Sequence, residues 1–220
     1  MKKLTKENIQ FIDNYLKNSD VIFDDIRMEM VDHVATAVET EISNGDLRDF
    51  YYIFKEYMVE NKKQLLDNNK KFIRKSTYKV SQIMLKNTFS IKGLAVLFIL
   101  SISLYFSHKF LNITSLYRVL GYTPFLLILL TFFGIKLYKV NRKPLKFSAI
   151  NQLSIYAVAI YQIYNFLFNP FFFNIDKELA YGNISLVGLI VLLFIACIFT
   201  LTAFQLSNYY TKKYQKILDC

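Results

Sequence analysis

The chain has 220 residues, 54% hydrophobic and 17% aromatic, with only 6 Gly and 3 Pro, a composition that suits long helices and excludes a Pro- or Gly-rich linker. The net charge of +10 would fit a nucleic-acid binder, but residues 1–60 hold 7 basic and 13 acidic side chains (net −6), and the remainder carries net +16. Those basic residues fall between apolar stretches, where topology and lipid phosphates account for them, and direct nucleic-acid binding is not expected.

The N-terminus, MKKLTKENIQFIDNYL, starts basic but has no apolar h-region. No cleavable signal peptide is expected, and the first apolar span would target the chain. Helix one begins at Thr5, a good N-cap, with Leu4 and Ile9 spaced as a hydrophobic staple. Ile9, Ile12 and Leu16 form its apolar face, and Asn18-Ser19-Asp20 ends it. Helix two begins near Phe23–Asp25, with aspartates at its positive dipole end. Ile26, Met30, Val34, Ala37 and Val38 follow helical spacing, and Gly45 suits the C′ position. Helix three follows Asp46, lined by Phe50, Ile53, Phe54 and Tyr57. Three such short amphipathic helices bury a core only by packing together. Lys62 to Asn87 reads as a further helix, with Leu65, Leu66, Phe72, Ile73, Val80, Ile83 and Met84 on one broad side. Lys63, Lys70, Lys71, Arg74 and Lys75 lie opposite, a pattern for an interfacial helix on anionic lipid or for a solvated helix packed on the head.

Four apolar spans follow: about Ile91–Ile113, Val119–Ile135, Phe147–Phe168 and Leu179–Ser207. Spans of this length without strand alternation must be helices if they enter hydrocarbon. Nine Lys and Arg from Lys62 to Lys92 precede span one, Lys136, Lys139, Arg142, Lys143 and Lys146 lie between spans two and three, and Lys212, Lys213 and Lys216 follow span four. The opposite side holds only Lys109, Arg118 and Lys177. The lysine and arginine bias therefore places both termini in the cytoplasm. Cys197 lies within span four and Cys220 at the end of the chain, so two free thiols are expected.

The segment Asn18 to Val34, with Arg27, Glu29, Asp32 and His33 in an R-x-E-like helix, resembles the HAAS-type signalling domain. The likeness covers residues 1–60, about a quarter of the chain. It implies a small helical head before transmembrane helices, and a cytoplasmic partner such as a PadR-like regulator. The Lys-, Asn-, Ile- and Phe-rich composition is similar to that of a low-GC bacterium of the Bacteroidetes type.

Asp25, Glu29, Asp32 and Thr36 share one stripe of helix two, with His33 at its edge. H-E-x-x-H and Cys-rich signatures are absent, and His108 is the only other histidine, so a docking surface or a solvated face is expected rather than a metal site. No G-x-S-x-G, P-loop or G-x-G-x-x-G occurs, and no enzymatic activity or cofactor is expected. Asn151, Ser154, Gln162, Asn165 and Asn169 align on span three, and Ser185, Gly188, Ala196, Thr200 and Ala203 make a small-residue stripe on span four. Both stripes fit helix packing with interhelical hydrogen bonds, and the first also fits a solute pathway.

The expected fold is all-α. A cytoplasmic head (1–60) precedes a basic juxtamembrane helix (61–90), a four-helix transmembrane bundle (91–207) and a basic tail (208–220). The expected function is that of an inner-membrane signalling or regulatory protein, with a small transporter or transporter subunit as the alternative.

Overall fold

The computed structural model describes residues 3–110, 122–138, 146–168 and 183–218. They form α1 (Lys6–Asn18), α2 (Asp24–Ser43), α3 (Phe50–Thr88), α4 (Ile91–Phe110), α5 (Thr123–Tyr138), α6 (Ser148–Phe168) and α7 (Asn183–Leu218). No strand occurs among the described residues, and the fold is all-α. The chain divides into two compact units. The head is Met1–Tyr78 with Leu145–Asn151, and the apolar unit is Lys79–Pro144 with Gln152–Cys220.

In the head, the Thr5 hydroxyl accepts the Asn8 amide at 3.3 Å and caps α1. Asp20 (φ 65°) and Gly45 (φ 99°) take the left-handed conformation just beyond α1 and α2, which lets each helix end tightly. Ile12 and Leu16 of α1, Ile26, Met30, Val34 and Val38 of α2, and Ile53, Phe54 and Met58 of α3 form one buried core. Phe11, Tyr15, Phe50 and Phe54 close it with edge-on and stacked aromatic pairs.

The sequence suggests separate helices on either side of residue 60, whereas α3 is one helix of 39 residues. The change from acidic to basic composition there is not a helix breaker, and no Gly or Pro lies between Gly45 and Gly93. Leu65 is buried in the head core, and Leu66, Phe72 and Ile73 pack against it, so the head reaches Tyr78. Lys70, Lys71, Arg74 and Lys75 are exposed.

In the apolar unit, α4 and α5 both pack on α7. The buried seam of α7 is Leu189, Leu192, Ala196, Phe199, Ala203, Leu206 and Tyr210, a three-then-four spacing that keeps one face toward neighbouring helices. Ala196 and Ala203 are fully buried, and Thr200 is 3.0 Å from Thr131 of α5. Small residues here allow close approach. The helix continues to Leu218, past the expected end at Ser207, because Tyr210, Thr211 and Tyr214 extend the buried face. Leu94, Phe98, Ile102 and Phe106 of α4, Leu126, Leu130 and Phe133 of α5, and Val187, Leu201 and Phe204 of α7 are exposed.

One described helix, α7 over Val187–Tyr214, is long and apolar enough to cross a membrane, and only 39% of its most apolar window is buried. The bent pair of α3 and α4 passes the same test jointly, and the apolar stretch Thr123–Lys136 of α5 is shorter.

Candidate functional site

The head holds a connected set of buried polar groups where the first turn of α2 meets the first turn of α6. Phe23 caps α2 without a side-chain acceptor, so the opening N–H groups of this helix need partners elsewhere. The Asp24 N–H donates to the Lys146 carbonyl at 2.9 Å. The Lys146 N–H donates back to Asp24 Oδ2 at 2.6 Å. The adjacent carboxylate serves α6: Asp25 Oδ1 accepts the Ser148 N–H at 3.0 Å, and Oδ2 accepts the Ser148 hydroxyl at 2.6 Å. Ser76 of α3 lies 2.6 Å from the same hydroxyl. Because Ser148 gives its proton to a carboxylate, Ser76 is the donor in that pair. The two helix N-termini thus share carboxylates, favourable for both dipoles.

Arg27 balances these charges. Its Nε donates to Asp13 Oδ1 at 2.7 Å, Nη1 donates to the Val21 carbonyl at 3.1 Å, and Nη2 pairs with Asp24. Burial alone would lower the guanidinium pKa, but Asp13 and Asp24 outweigh it and raise it. The position of Arg27 within the apolar arc of helix two signals an internal partner, and Asp13 of α1 is that partner. Asp24, Ser148 and Ser76 carry no sequence motif. The one available signal is a serine opening the apolar run of span three, the usual mark of a helix start.

The acidic stripe of helix two therefore divides. Asp25 is buried and engaged with Ser148, which corrects its expected place on an exposed docking or solvated face; its carboxylate accepts the Ser148 N–H and hydroxyl at the start of α6 instead. Glu29, Asp32, His33 and Thr36 are exposed. Tyr57 Oη lies 3.4 Å from His33 Nδ1, and burial pushes the Tyr57 pKa up. No group of three or more His, Cys, Asp or Glu among the described residues is placed to hold a metal.

On α6, Asn151, Ser154 and Gln162 are exposed and Asn165 is half-buried, while Asn169 lies outside the described residues. The buried polar residues of this helix are Ser148 and Gln152. The stripe read from spacing is thus not the face turned inward. Polar contacts within the apolar unit include Ser81 to Tyr156 at 2.5 Å, and Asn87 Nδ2 to Thr202 Oγ1 and Gln205 Oε1, both at 3.0 Å.

Comparison with protein-family models, curated proteins and solved structures found no match.

Proposed function

We propose that this chain is a multi-pass inner-membrane signalling or regulatory protein. In this reading its cytoplasmic head binds a protein partner through Glu29, Asp32 and His33, and four apolar segments cross the membrane. The observation that carries it is the pairing of Asp24 and Asp25 with Lys146 and Ser148. A head that holds the start of α6 requires the chain to return to the head's side between α4 and α6. That supports α4 and α5 as an out-and-back pair, and the lysine and arginine bias reaches the same orientation independently.

The 20 residues of α4 would extend about 30 Å, the thickness of a hydrocarbon core. Large apolar side chains such as Phe98, Ile102, Leu130 and Phe204 face outward, while the buried seam mixes Leu and Phe with Ala, Thr and Ser; an apolar exterior with small residues at the helix contacts is what lipid-facing helices favour. The same covalent helices, α3 and α6, begin in the head and continue in the apolar unit. The resemblance to HAAS-type heads makes a PadR-like regulator the first partner to test.

Cysteine accessibility in whole cells tests the topology. Lys143→Cys should resist an impermeant reagent and Lys177→Cys should be labelled; the opposite pattern would overturn it. Partner capture by the full chain tests the docking surface. Glu29→Gln with Asp32→Asn should weaken capture, most at low salt, where the lost attraction is least screened. Unchanged capture would remove these residues from the reading.

A further inference from the structure

We propose that the α3–α7 end of the apolar unit binds the phosphate of an anionic lipid, with Lys79, Tyr209 and Tyr210 as its centre. The inference rests on the membrane reading above and adds a specific ligand to it. Lys79 Nζ lies 4.2 Å from the centroid of the Tyr209 ring and 5.4 Å from that of Tyr210. Tyr210 is buried and stacks with buried Tyr214 at 6.1 Å and 3°, so the platform under the ammonium is braced. Aromatic faces hold a cation in place without neutralising it.

Among the described residues no carboxylate pairs with Lys79. Asn68 to Thr88 contains no Asp or Glu, nor does the whole of α7. The described residues of the apolar unit carry no acidic side chain, and the ion pairs among the described residues all lie in the head. Lys86 and Lys212, both exposed, add positive charge on the same two helices. These helices run antiparallel, since Asn87 meets Thr202 and Gln205 while Lys79 meets Tyr209 and Tyr210.

Depth selects the anion. The apolar stretch of α7 ends at Leu206, and Tyr209 follows about 4.5 Å further along the axis at 1.5 Å per residue. That is the headgroup layer, where tyrosines collect and lipid phosphates reside. Tyr209 is half-exposed. A lipid phosphate arrives already concentrated by its acyl chains, whereas free phosphate has only one partly buried ammonium to hold it.

The test uses the full chain in a neutral detergent, titrated with phosphatidylglycerol, phosphatidylcholine or inorganic phosphate. Bound lipid is counted by native mass spectrometry. Phosphatidylglycerol should bind in preference to the other two. Lys79→Gln should weaken it about fivefold, the effect of one lysine near an anionic surface. Lys79→Arg, which keeps the charge over the rings, should retain binding, and so should Lys17→Gln, at an exposed position on α1 of the head. Equal binding of phosphatidylcholine, competition by inorganic phosphate, equal losses in Lys79→Gln and Lys17→Gln, or loss in Lys79→Arg would each overturn the site. Alkaline carbonate extraction separates the two readings. A chain released by carbonate would refute the membrane reading itself, while a retained chain without lipid preference would refute only this site.

Discussion

Asp25 accepts both the backbone N–H and the side-chain hydroxyl of Ser148, a residue 123 positions away in the chain. The first turn of α6 is therefore capped by a residue of α2. The cap ties the described non-contiguous piece of the head, residues 146–151, to the rest of it.

Removing that cap should be costly. Asp25→Ala leaves a buried N–H and a buried hydroxyl without their acceptor, a loss of about 1–3 kcal/mol. Asp25→Asn keeps one oxygen for the Ser148 N–H and should cost less. Exposed Asp32→Asn should change stability by about 0.5 kcal/mol or less. Melting of the full chain in detergent checks the order, and equal effects at Asp25 and Asp32 would contradict the assignment.

Arg27 is the next test. Arg27→Met strands Asp24 beside a buried helix end and removes the partner of Asp13. Breaking a buried pair from one side costs about 3–5 kcal/mol, and the 36% exposure of the Asp13 side chain places this one at the lower end. Asp13→Asn should be milder, because Arg27 keeps Asp24 and the Val21 carbonyl. Denaturant unfolding followed by circular dichroism gives both values.

Gly93 sets the junction between α3 and α4. The chain bends there by 61°, Ser90 Oγ accepts the Gly93 N–H at 3.0 Å, and Ser90 Oγ donates to the Asn87 carbonyl at 2.7 Å. A Cβ at Gly93 would meet the Asn87 carbonyl oxygen at 2.1 Å and that of Thr88 at 2.7 Å. Gly93→Ala must therefore open the bend and should lower the melting temperature sharply. Gly45→Ala meets open space but a positive φ, and should cost about 1 kcal/mol. A silent Gly93→Ala would show that the junction tolerates a different angle.

The loop between α2 and α3 predicts an acid response. Hydrogen bonds from the Arg48 side chain and backbone N–H hold the Asp46 carboxyl below its ordinary range, and Arg48 also reaches Glu56 at 2.6 Å. A folded-state pKa below the unfolded one means the contribution is present above the unfolded value and is lost as pH falls through the folded one. The carboxyl carbon of Asp46 should titrate by NMR with a midpoint below 3.8, and Arg48→Gln should return it toward that value. The pair is exposed, so its share of stability is small.

Much of the local structure follows from the sequence. Thr5, the Asn18-Ser19-Asp20 turn and Gly45 mark helix ends through backbone chemistry that needs no tertiary partner, and the structure places each where its chemistry requires. The apolar face of α2 is legible from its 3.6-residue period, and the internal pairing of Arg27 from its position within that face. The buried seam of α7 was equally open to reading, since its three-then-four spacing runs unbroken from Leu189 to Tyr210.

Only the tertiary structure decided the rest. Asp25 and Asp32 are the same residue type on the same stripe of one helix, yet one is buried against Ser148 and the other is exposed. Periodicity reports which face of a helix is apolar, but not which distant N–H will seek a carboxylate. Likewise the composition shift near residue 60 suggested a boundary, while the head core reached through Leu65 to Ile73 and the compact unit to Tyr78. Charge composition describes what solvent or lipid sees of a helix, whereas the limit of a packed unit is set by where its apolar side chains find partners.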